Sequence, residues 1–531
     1  MIGETKYFTV TAKNTDFTVN ANSAGCSKTS GILITCATSA ATVGSHSITI
    51  TATAKPSETN TVTLNVSEPP PPPPPPDEPE PEITGSIISV VGNIGDYQTQ
   101  NVVLSKITWS NAENAFTVPA AGQLTVGAGM PIAGGSPSPY VFSFLNQAAS
   151  GSQLRVALTN YTYTPGEAGV SDSWFYEPSG DGWELKGQAG PVNMPGNTRK
   201  ITNISYNGDP YLLAADYDSD NNEGGTLWLL SVDEHDNYSK VTTLPIPNNG
   251  DYQAHVEDVY VDDSRIYILV TYMDVSSYEY MNSELRQYKL TGDGGDISFE
   301  QVGLDVSLGE NAVKLVPYTS GSDKYLFIPC IGGGYKGGDN NGEKSSLSMV
   351  NITQDISRLT VERKSYVGGA YSASDPLYDF RDIAIAANGT AYILTYGYDS
   401  NWSTEWMLYQ TTAANLVSMA TSVPNVTVTY NAALVKTDKS YSGYFWSIGI
   451  CSNGTDEYLA FVKGAGASSA DTSRDEVHFL KVGAIWSDYD NSGNSIVSTD
   501  VLNAGAGAGF AVSAIAISMP GGATTTLSMP Y

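Results

Sequence analysis

Two short segments of the chain carry oxygen-bearing side chains at alternate positions, a pattern that could bind a cation. Ca²⁺ takes about six to eight oxygen ligands from carboxylates, carbonyls and water. Asp, Asn, Ser and Gly are also the residues that ordinary β-turns use. The segments therefore predict either Ca²⁺ sites or solvated turns. The candidate ligands are Asp488, Asp490 and Ser492 in one segment and Asp216, Asp218 and Asp220 in the other.

The segment that begins at Asp488 runs Asp-Tyr-Asp-Asn-Ser-Gly, which resembles the opening of an EF-hand loop. It differs at the twelfth position, which is Thr499 where that loop has a bidentate glutamate. No helix is predicted on either side of it. The resemblance implies Ca²⁺ as the candidate cofactor, with carbonyl or water oxygens completing the ligand set.

A polar residue recurs at equivalent positions of five strands, each of which begins a repeated unit of the chain. In a radial repeat the first strand of each unit lines a central channel. Glu257 and Arg381 lie beside two of these positions, and Ser143 and Ser513 fit the same alignment. The pattern predicts either a wet funnel without specificity or a site for a cation or polar ligand. The predicted ring consists of Asn203, Asp258, Lys314, Asp382 and Ser447.

Aromatic residues are frequent in the segments that link the second and third strands of the repeated units. These segments should share one rim, where exposed Tyr and Trp give rigid amphipathic area suited to sugars or protein partners. Tyrosine is also a common strand residue, so packing is the alternative. The rim candidates are Tyr217, Tyr278, Tyr280, Tyr335, Tyr398 and Trp402.

Motifs of known enzyme classes are scarce. The four histidines, which are His46, His235, His255 and His478, form no H-E-x-x-H zinc motif, and no G-x-S-x-G nucleophile elbow occurs. Residues 179–183 (Ser-Gly-Asp-Gly-Trp) resemble the Asp-box of sialidase-type propellers, but the motif occurs once and does not repeat. A pair of rim carboxylates for glycoside cleavage stays open. The sequence favours a non-catalytic protein over an enzyme.

Composition limits the class of protein. Charged residues make up 15% of the 531 residues, and Gly (52) and Tyr (33) are abundant. This is typical of a secreted, turn-rich all-β protein, since an average soluble domain has about 25% charged residues. The net charge of −29 repels phosphate backbones and anionic lipid, which argues against nucleic-acid and membrane-surface binding. No stretch has the apolar length of a membrane span.

One unit recurs at intervals of about 55 to 67 residues: a strand, a turn, a more apolar strand, a polar loop, a third strand and a polar fourth strand. A short run of turn residues precedes each of the more apolar strands, as Asn207-Gly208 precede residues 211–215. Such turns indicate tight hairpins. Four strands repeated at this period predict a β-propeller. The apolar second strands are residues 154–158, 211–215, 266–270, 325–329, 391–395 and 458–462.

The two ends of the repeat region supply a further unit. Residues 510–517 are predicted as a first strand and 524–529 as a second, and the chain then stops two strands short of a complete unit. Residues 87–91 and 102–109 are predicted to supply the two missing strands. Seven blades are therefore predicted, with N-terminal strands completing the C-terminal blade and removing exposed sheet edges. Six blades with decorated ends is the alternative.

Residues 1–67 form a separate small β domain in this prediction, with apolar residues at every second position of its strands. Residues 44–54 and 60–66 resemble the last hairpin of bacterial immunoglobulin-like modules. The resemblance implies a sandwich that acts as a stalk. Cys26 and Cys36 flank a Ser/Thr/Gly turn and predict a disulfide, because so small a domain buries little core. Cys330 and Cys451 lie in apolar strands and are predicted to be buried thiols.

Residues 68–82 connect the two parts. Eight consecutive prolines and a following acidic stretch predict a solvated polyproline II rod, about 45 Å long at ~3.1 Å per residue. Residues 83–531 are the propeller. The start of the chain lacks the basic and apolar regions of a signal peptide, so an exported protein would begin here at a processed boundary.

The combined prediction is an exported, bacterial, cell-surface or secreted binding protein with a stalk, a rod and a propeller head that contacts a glycan or a protein. One alternative is a polysaccharide hydrolase or lyase that uses rim carboxylates. Another is a structural subunit of a surface layer or filament, which would self-associate. Propellers host all of these functions, so the fold does not choose between them.

Overall fold

A computed structural model of the chain divides it into two compact units, Met1–Glu82 and Ile83–Tyr531. Apart from the helical elements named below, the described residues are mainly strands joined by turns. The structure describes residues 5–9, 17–21, 26–30, 33–37, 44–53, 55–66, 85–94, 101–126, 138–149, 152–161, 173–189, 195, 198–216, 224–274, 276–277, 279–332, 345–353, 361–366, 379–398, 404–422, 433–435, 444–464, 475–484, 496–498, 510–520 and 524–528.

The N-terminal unit contains two three-stranded antiparallel sheets, ordered β1-β4-β3 and β2-β5-β6. Backbone pairing places Cys26 of β3 opposite Cys36 of β4. The immunoglobulin-like topology and the disulfide stay predictions. The strands are β1 (Thr5–Thr9), β2 (Phe17–Ala21), β3 (Cys26–Ser30), β4 (Leu33–Ala37), β5 (Gly44–Ala52) and β6 (Lys55–Val66).

The larger unit is a seven-bladed β-propeller, as the repeat predicts: seven antiparallel sheets follow one another around a centre. The sheet that closes the propeller, blade 7, combines strands from both ends of this unit. Its strands are β7 (Ile87–Ile94), β8 (Asn101–Ser110), β9 (Ala115–Thr117), β10 (Gln123–Val126), β37 (Phe510–Ser518) and β38 (Thr524–Ser528).

Blades 1 to 3 follow in chain order. Blade 1 contains β11 (Ser138–Asn146), β12 (Gln153–Tyr161), β13 (Ser173–Ser179) and β14 (Gly182–Ala189). Blade 2 contains β15 (Thr198–Tyr206), β16 (Asp209–Asp216), β17 (Thr226–Val232) and β18 (Tyr238–Pro245). Blade 3 contains β19 (Gln253–Asp262), β20 (Arg265–Asp274), β21 (Glu279–Tyr280), β22 (Asn282–Thr291), a 3₁₀ turn (Gly294–Asp296), β23 (Ser298–Gln301) and β24 (Val306–Glu310).

Blades 4 to 6 complete the circle. Blade 4 contains β25 (Val316–Ser320), β26 (Asp323–Cys330), β27 (Ser346–Asn351) and β28 (Val361–Tyr366). Blade 5 contains β29 (Asp379–Ile385), β30 (Thr390–Tyr398), β31 (Thr404–Thr412), the helix α1 (Ala413–Ser422) and β32 (Ala433–Val435). Blade 6 contains β33 (Tyr444–Ser452), β34 (Glu457–Gly464), β35 (Glu476–Lys481) and β36 (Ile496–Ser498).

The order of strands in blade 7 corrects one sequence prediction. The order is β38-β37-β7-β8-β10, so β38 and not β37 is the first strand. Thr524, Thr525 and Thr526 of β38 accordingly line the central cavity. The physical reason is burial, because Ala514 to Ile517 of β37 are all 0% exposed and belong between two neighbouring strands. Ser513 therefore lies on a second strand and not in the channel alignment.

The second strands form the most buried layer. Ile266 to Val270 of β20 and Leu212 to Ala215 of β16 are each 0% exposed, because neighbouring blades cover both faces of a sheet. The hairpin before β16 turns at Asn207 and Gly208, both of which have positive φ (53° and 91°), as a type I′ turn requires. Cys330 and Cys451 are buried thiols, as predicted. Among the described residues, no helix is long and apolar enough to cross a membrane.

Candidate functional site

The first strands of blades 2 to 7 enclose a central cavity of about 510 Å³. Five of these strands, or the segment that leads into the strand, carry one residue of the predicted polar ring, so the radial arrangement gathers these residues around one space. All five residues of the predicted polar ring contribute to the cavity wall: Asn203 (β15), Asp258 (β19), Lys314 (before β25), Asp382 (β29) and Ser447 (β33).

Asp382 is the most strongly bonded member of this ring. Its Oδ1 accepts hydrogen bonds from the backbone amide of the next residue, Ile383 (2.7 Å), and from Lys314 Nζ (2.9 Å). The other accepts from Ser447 Oγ (2.8 Å) and the Ile448 amide (2.9 Å). A buried carboxylate is stabilised by donors of this kind. Asp382 therefore joins blade 5 to blades 4 and 6.

Asp258 and Asn203 form similar junctions. Asp258 accepts a hydrogen bond from the backbone amide of Leu315, which leads into blade 4 (2.8 Å). It accepts a second one from the backbone amide of Val259 on its own strand. Asn203 pairs with both backbone groups of Leu145 in blade 1, accepting at 2.9 Å and donating at 2.6 Å. These contacts give the ring a structural part in holding the blades together.

A second set of charged residues in the cavity wall sits on irregular backbone. In β15, β19 and β29 the pairing with the second strand skips one residue, and the extra residues are Arg199, Glu257 and Arg381. A bulge of this kind leaves a residue out of the ladder and re-aims its side chain. All three line the cavity. The bulges thus add charged groups next to the ring residues that hold the blades.

Glu257 is a cavity residue whose acidity the surroundings alter. Desolvation by burial raises the pKa of its carboxyl to about 7, against the opposing effects of Arg199 and of the hydrogen bond from Thr271 (Oγ1 to Oε1, 3.2 Å). Asp258 beside it adds to the rise. A carboxyl with this pKa exchanges its proton near neutral pH, which is the property of a general acid or of a pH-sensitive binding group.

Arg199 and Tyr280 lie near Glu257. Arg199 Nη1 donates a hydrogen bond to the hydroxyl of Tyr140 (2.6 Å), and its guanidinium lies over the Tyr140 ring at 4.9 Å from the centroid. Burial, followed by the charge of Glu257, raises the pKa of Tyr280 to about 12. The group can therefore offer a carboxyl, a guanidinium and a neutral phenol to one bound molecule.

Two other predicted site residues are described, and neither is among the residues of the cavity wall. Asp216 is buried at the end of β16, and Tyr398 ends β30. No cluster of three or more potential metal ligands occurs within the described ranges, and Ca²⁺ binding stays a prediction. His255 is buried in β19 opposite Thr271. Outside the described residues lie Asp218, Asp220, Asp488, Asp490, Ser492, Tyr217, Tyr278, Tyr335 and Trp402.

The sequence analysis missed Arg199 and Lys200 as members of the cavity, and it predicted Tyr280 on the rim. The strand alignment assumed a regular ladder, in which neighbouring residues face opposite sides. A bulge breaks this alternation, and no residue type in the sequence indicates where a bulge occurs. The usable signal was the repeated pairing of a charged residue with a ring residue, as in Glu257-Asp258 and Arg381-Asp382.

No protein-family model and no curated protein matches the chain. The solved structures to which it is similar include an α-L-arabinanase of Penicillium chrysogenum complexed with arabinobiose, with 12% identity, a TM-score of 0.35, and coverage of 65% of this chain and 94% of that one. A Hadza microbial sialidase has 9% identity, a TM-score of 0.34 and 66% coverage of both chains. An ACO/RPE65 chimera has 11% identity, a TM-score of 0.40, and coverage of 80% and 92%. At these scores the likenesses support no inference about activity.

Proposed function

We propose that the protein is a secreted or cell-surface binding protein that holds a sugar unit of a glycan in its central cavity. The observation that carries this proposal is the meeting of Arg199, Glu257 and Tyr280 in the wall of one cavity of about 510 Å³. Small-molecule sites typically occupy about 300–1,000 Å³ and combine apolar walls with a few placed polar groups. A sugar needs such groups for its hydroxyls and a tyrosine face for its C–H surface.

We therefore place the ligand in the central cavity and not on the predicted rim. Tyr280, which the sequence predicted on the rim, lines this cavity. Export is supported by the low charged fraction and the high Gly and Tyr content. A protein partner and self-association into a layer or filament are the other functions that the sequence left open.

A hydrolase is the second candidate, and the raised pKa of Glu257 favours it. Glycoside cleavage also needs a second carboxylate about 5–9.5 Å from the acid. Asp258 and Asp382 are the carboxylates at hand, and backbone amides already occupy oxygens of both. Carboxylates held in this way serve as fixed structural anions, so binding without turnover is the function that the geometry supports better.

The replacement Tyr280→Ala tests this proposal. We expect the whole chain to bind one class of glycan on an array, and the variant to lose about tenfold in affinity, since an aromatic contact contributes ~1–1.5 kcal/mol. Calorimetry with the selected glycan measures the loss. Tyr318→Ala is the matched control, because Tyr318 lies on a first strand but outside the cavity wall.

Three outcomes separate the candidates. Binding that depends on Tyr280 but releases no reducing ends supports the binding protein. Release of reducing ends that stops in Glu257→Gln establishes the hydrolase instead. Equal affinity in both tyrosine variants would place the ligand outside the cavity and refute the proposal.

A further inference from the structure

We infer that the central cavity selects carboxylate-bearing sugars of the uronic-acid class over their neutral counterparts; this inference rests on the proposed function. The first observation is the distribution of charge. The chain has 26 Lys and Arg against 55 Asp and Glu. The described cavity wall reverses this ratio, with four cationic residues and three acidic ones. The cationic residues are Arg199, Lys200, Lys314 and Arg381, and the acidic residues are Glu257, Asp258 and Asp382.

Two of the three acids are held by the protein itself. Asp382 accepts four hydrogen bonds, including one from Lys314 Nζ. Asp258 accepts two backbone amides, and Lys200 Nζ lies 3.8 Å from its Oδ1. Donors that surround a carboxylate weaken the negative potential that it presents to a ligand.

The third acid, Glu257, does not hold a full negative charge near neutral pH, because burial raises its pKa to about 7. Two guanidinium-bearing residues, Arg199 and Arg381, share the cavity with it. Arginine recognises carboxylates through paired N–H donors. The balance of charge in the wall is therefore positive, in a protein whose surface otherwise repels anions.

The volume of the cavity and the negative charge of the protein favour a small sugar acid over a larger anion. A cavity of about 510 Å³ accommodates a mono- or disaccharide, and the net charge of −29 disfavours the approach of a polyanion such as nucleic acid. A single carboxylate on a hydroxyl-rich ring meets the arginines and leaves its hydroxyls for the remaining polar groups. Thr524 to Thr526 of β38 add hydroxyl-bearing residues to the same wall.

The test compares digalacturonic acid with its dimethyl ester by calorimetry on the whole chain. The two probes differ in charge and share their hydroxyls. We expect the acid to bind at least about tenfold more tightly, as a charge-assisted contact allows. Arg381→Met should remove this preference by weakening binding of the acid more than binding of the ester. Arg265→Met, outside the cavity wall, is the control and should retain the preference.

The pH dependence gives an independent readout. Affinity for the acid should rise about severalfold as the pH falls from about 8 to about 6, because protonation of Glu257 removes a negative charge from the wall. The groups around Glu257 are Arg199, Asp258, Thr271 and Tyr280, with His255 on the same strand; Tyr280 has a pKa of about 12 and keeps its proton in this range. Glu257→Gln should abolish the rise, and a rise that persists in this variant would overturn the role of Glu257 in the pH dependence.

The outcomes distinguish this inference from the proposed function. Equal binding of acid and ester would overturn the selectivity and leave a sugar-binding cavity. Tighter binding of the ester would overturn it as well. Binding of neither probe, together with array binding of an uncharged glycan, would remove the acidic ligand class alone. Binding of neither probe nor any glycan would overturn both.

Discussion

Replacing Asp382 with alanine is expected to lower the free energy of unfolding of the propeller by about 3–5 kcal/mol, the cost of breaking a buried ion pair from one side. The variant leaves the Lys314 ammonium without its carboxylate partner. It also removes the acceptor for the Ile448 amide, so that a contact between blades 5 and 6 is lost. Chemical denaturation followed by tryptophan fluorescence measures the change.

Two further variants separate charge from shape. Asp382→Asn keeps an acceptor oxygen and should cost less, about 1–3 kcal/mol. Asp251→Asn changes an exposed aspartate in a turn and should leave stability unchanged. An Asp382→Ala variant with the stability of the wild-type protein would show that the ring residues do not hold the blades together.

Replacing Arg155 with methionine should cost a similar amount, about 3–5 kcal/mol, because it leaves a buried carboxylate unpaired. Arg155 is 2% exposed in β12, and it holds Asp236 of blade 2 through two hydrogen bonds, Nε to Oδ1 (2.8 Å) and Nη2 to Oδ2 (2.9 Å). Asn146 Nδ2 and the Tyr238 hydroxyl donate to the same carboxylate. This network is a second junction, between blades 1 and 2.

The double variant Arg155→Met, Asp236→Asn tests the mechanism. Asp236 has a φ of 60°, a conformation that Asn also tolerates, so the second change removes charge without straining the turn. We expect the double variant to be about 1–2 kcal/mol more stable than Arg155→Met alone. The exposed pair Lys481–Asp456 is the control, and Lys481→Met should cost less than about 1 kcal/mol. Additive effects at Arg155 and Asp236 would contradict the account of a coupled buried pair.

The sequence predicted the propeller because its strongest signal is local. Apolar runs such as residues 266–270, each preceded by turn residues, mark second strands without reference to the rest of the chain. Their number and spacing then determine the number of blades. The exchange of first and second strand in blade 7 was missed because both β37 and β38 have strand-like sequences, and the choice depends on which one the neighbouring strands bury.

The site was harder to predict because it depends on contacts between distant residues. Asp382 meets Ile448, which is 66 residues away, and nothing in either strand indicates the partner. The alignment of first strands predicted a shared position, and the five residues that it names line the described cavity wall. The bulge residue Arg199 was missed because an extra residue in a ladder is a property of the pairing and not of a residue type.

A crystal structure of the whole chain with digalacturonic acid tests the central claim most directly. We expect density for a sugar in the central cavity, with its carboxylate contacting Arg381 or Arg199 and a sugar ring near Tyr280. A sugar bound on an outer surface of the propeller, with the central cavity filled by water alone, would show that the central cavity is not the binding site.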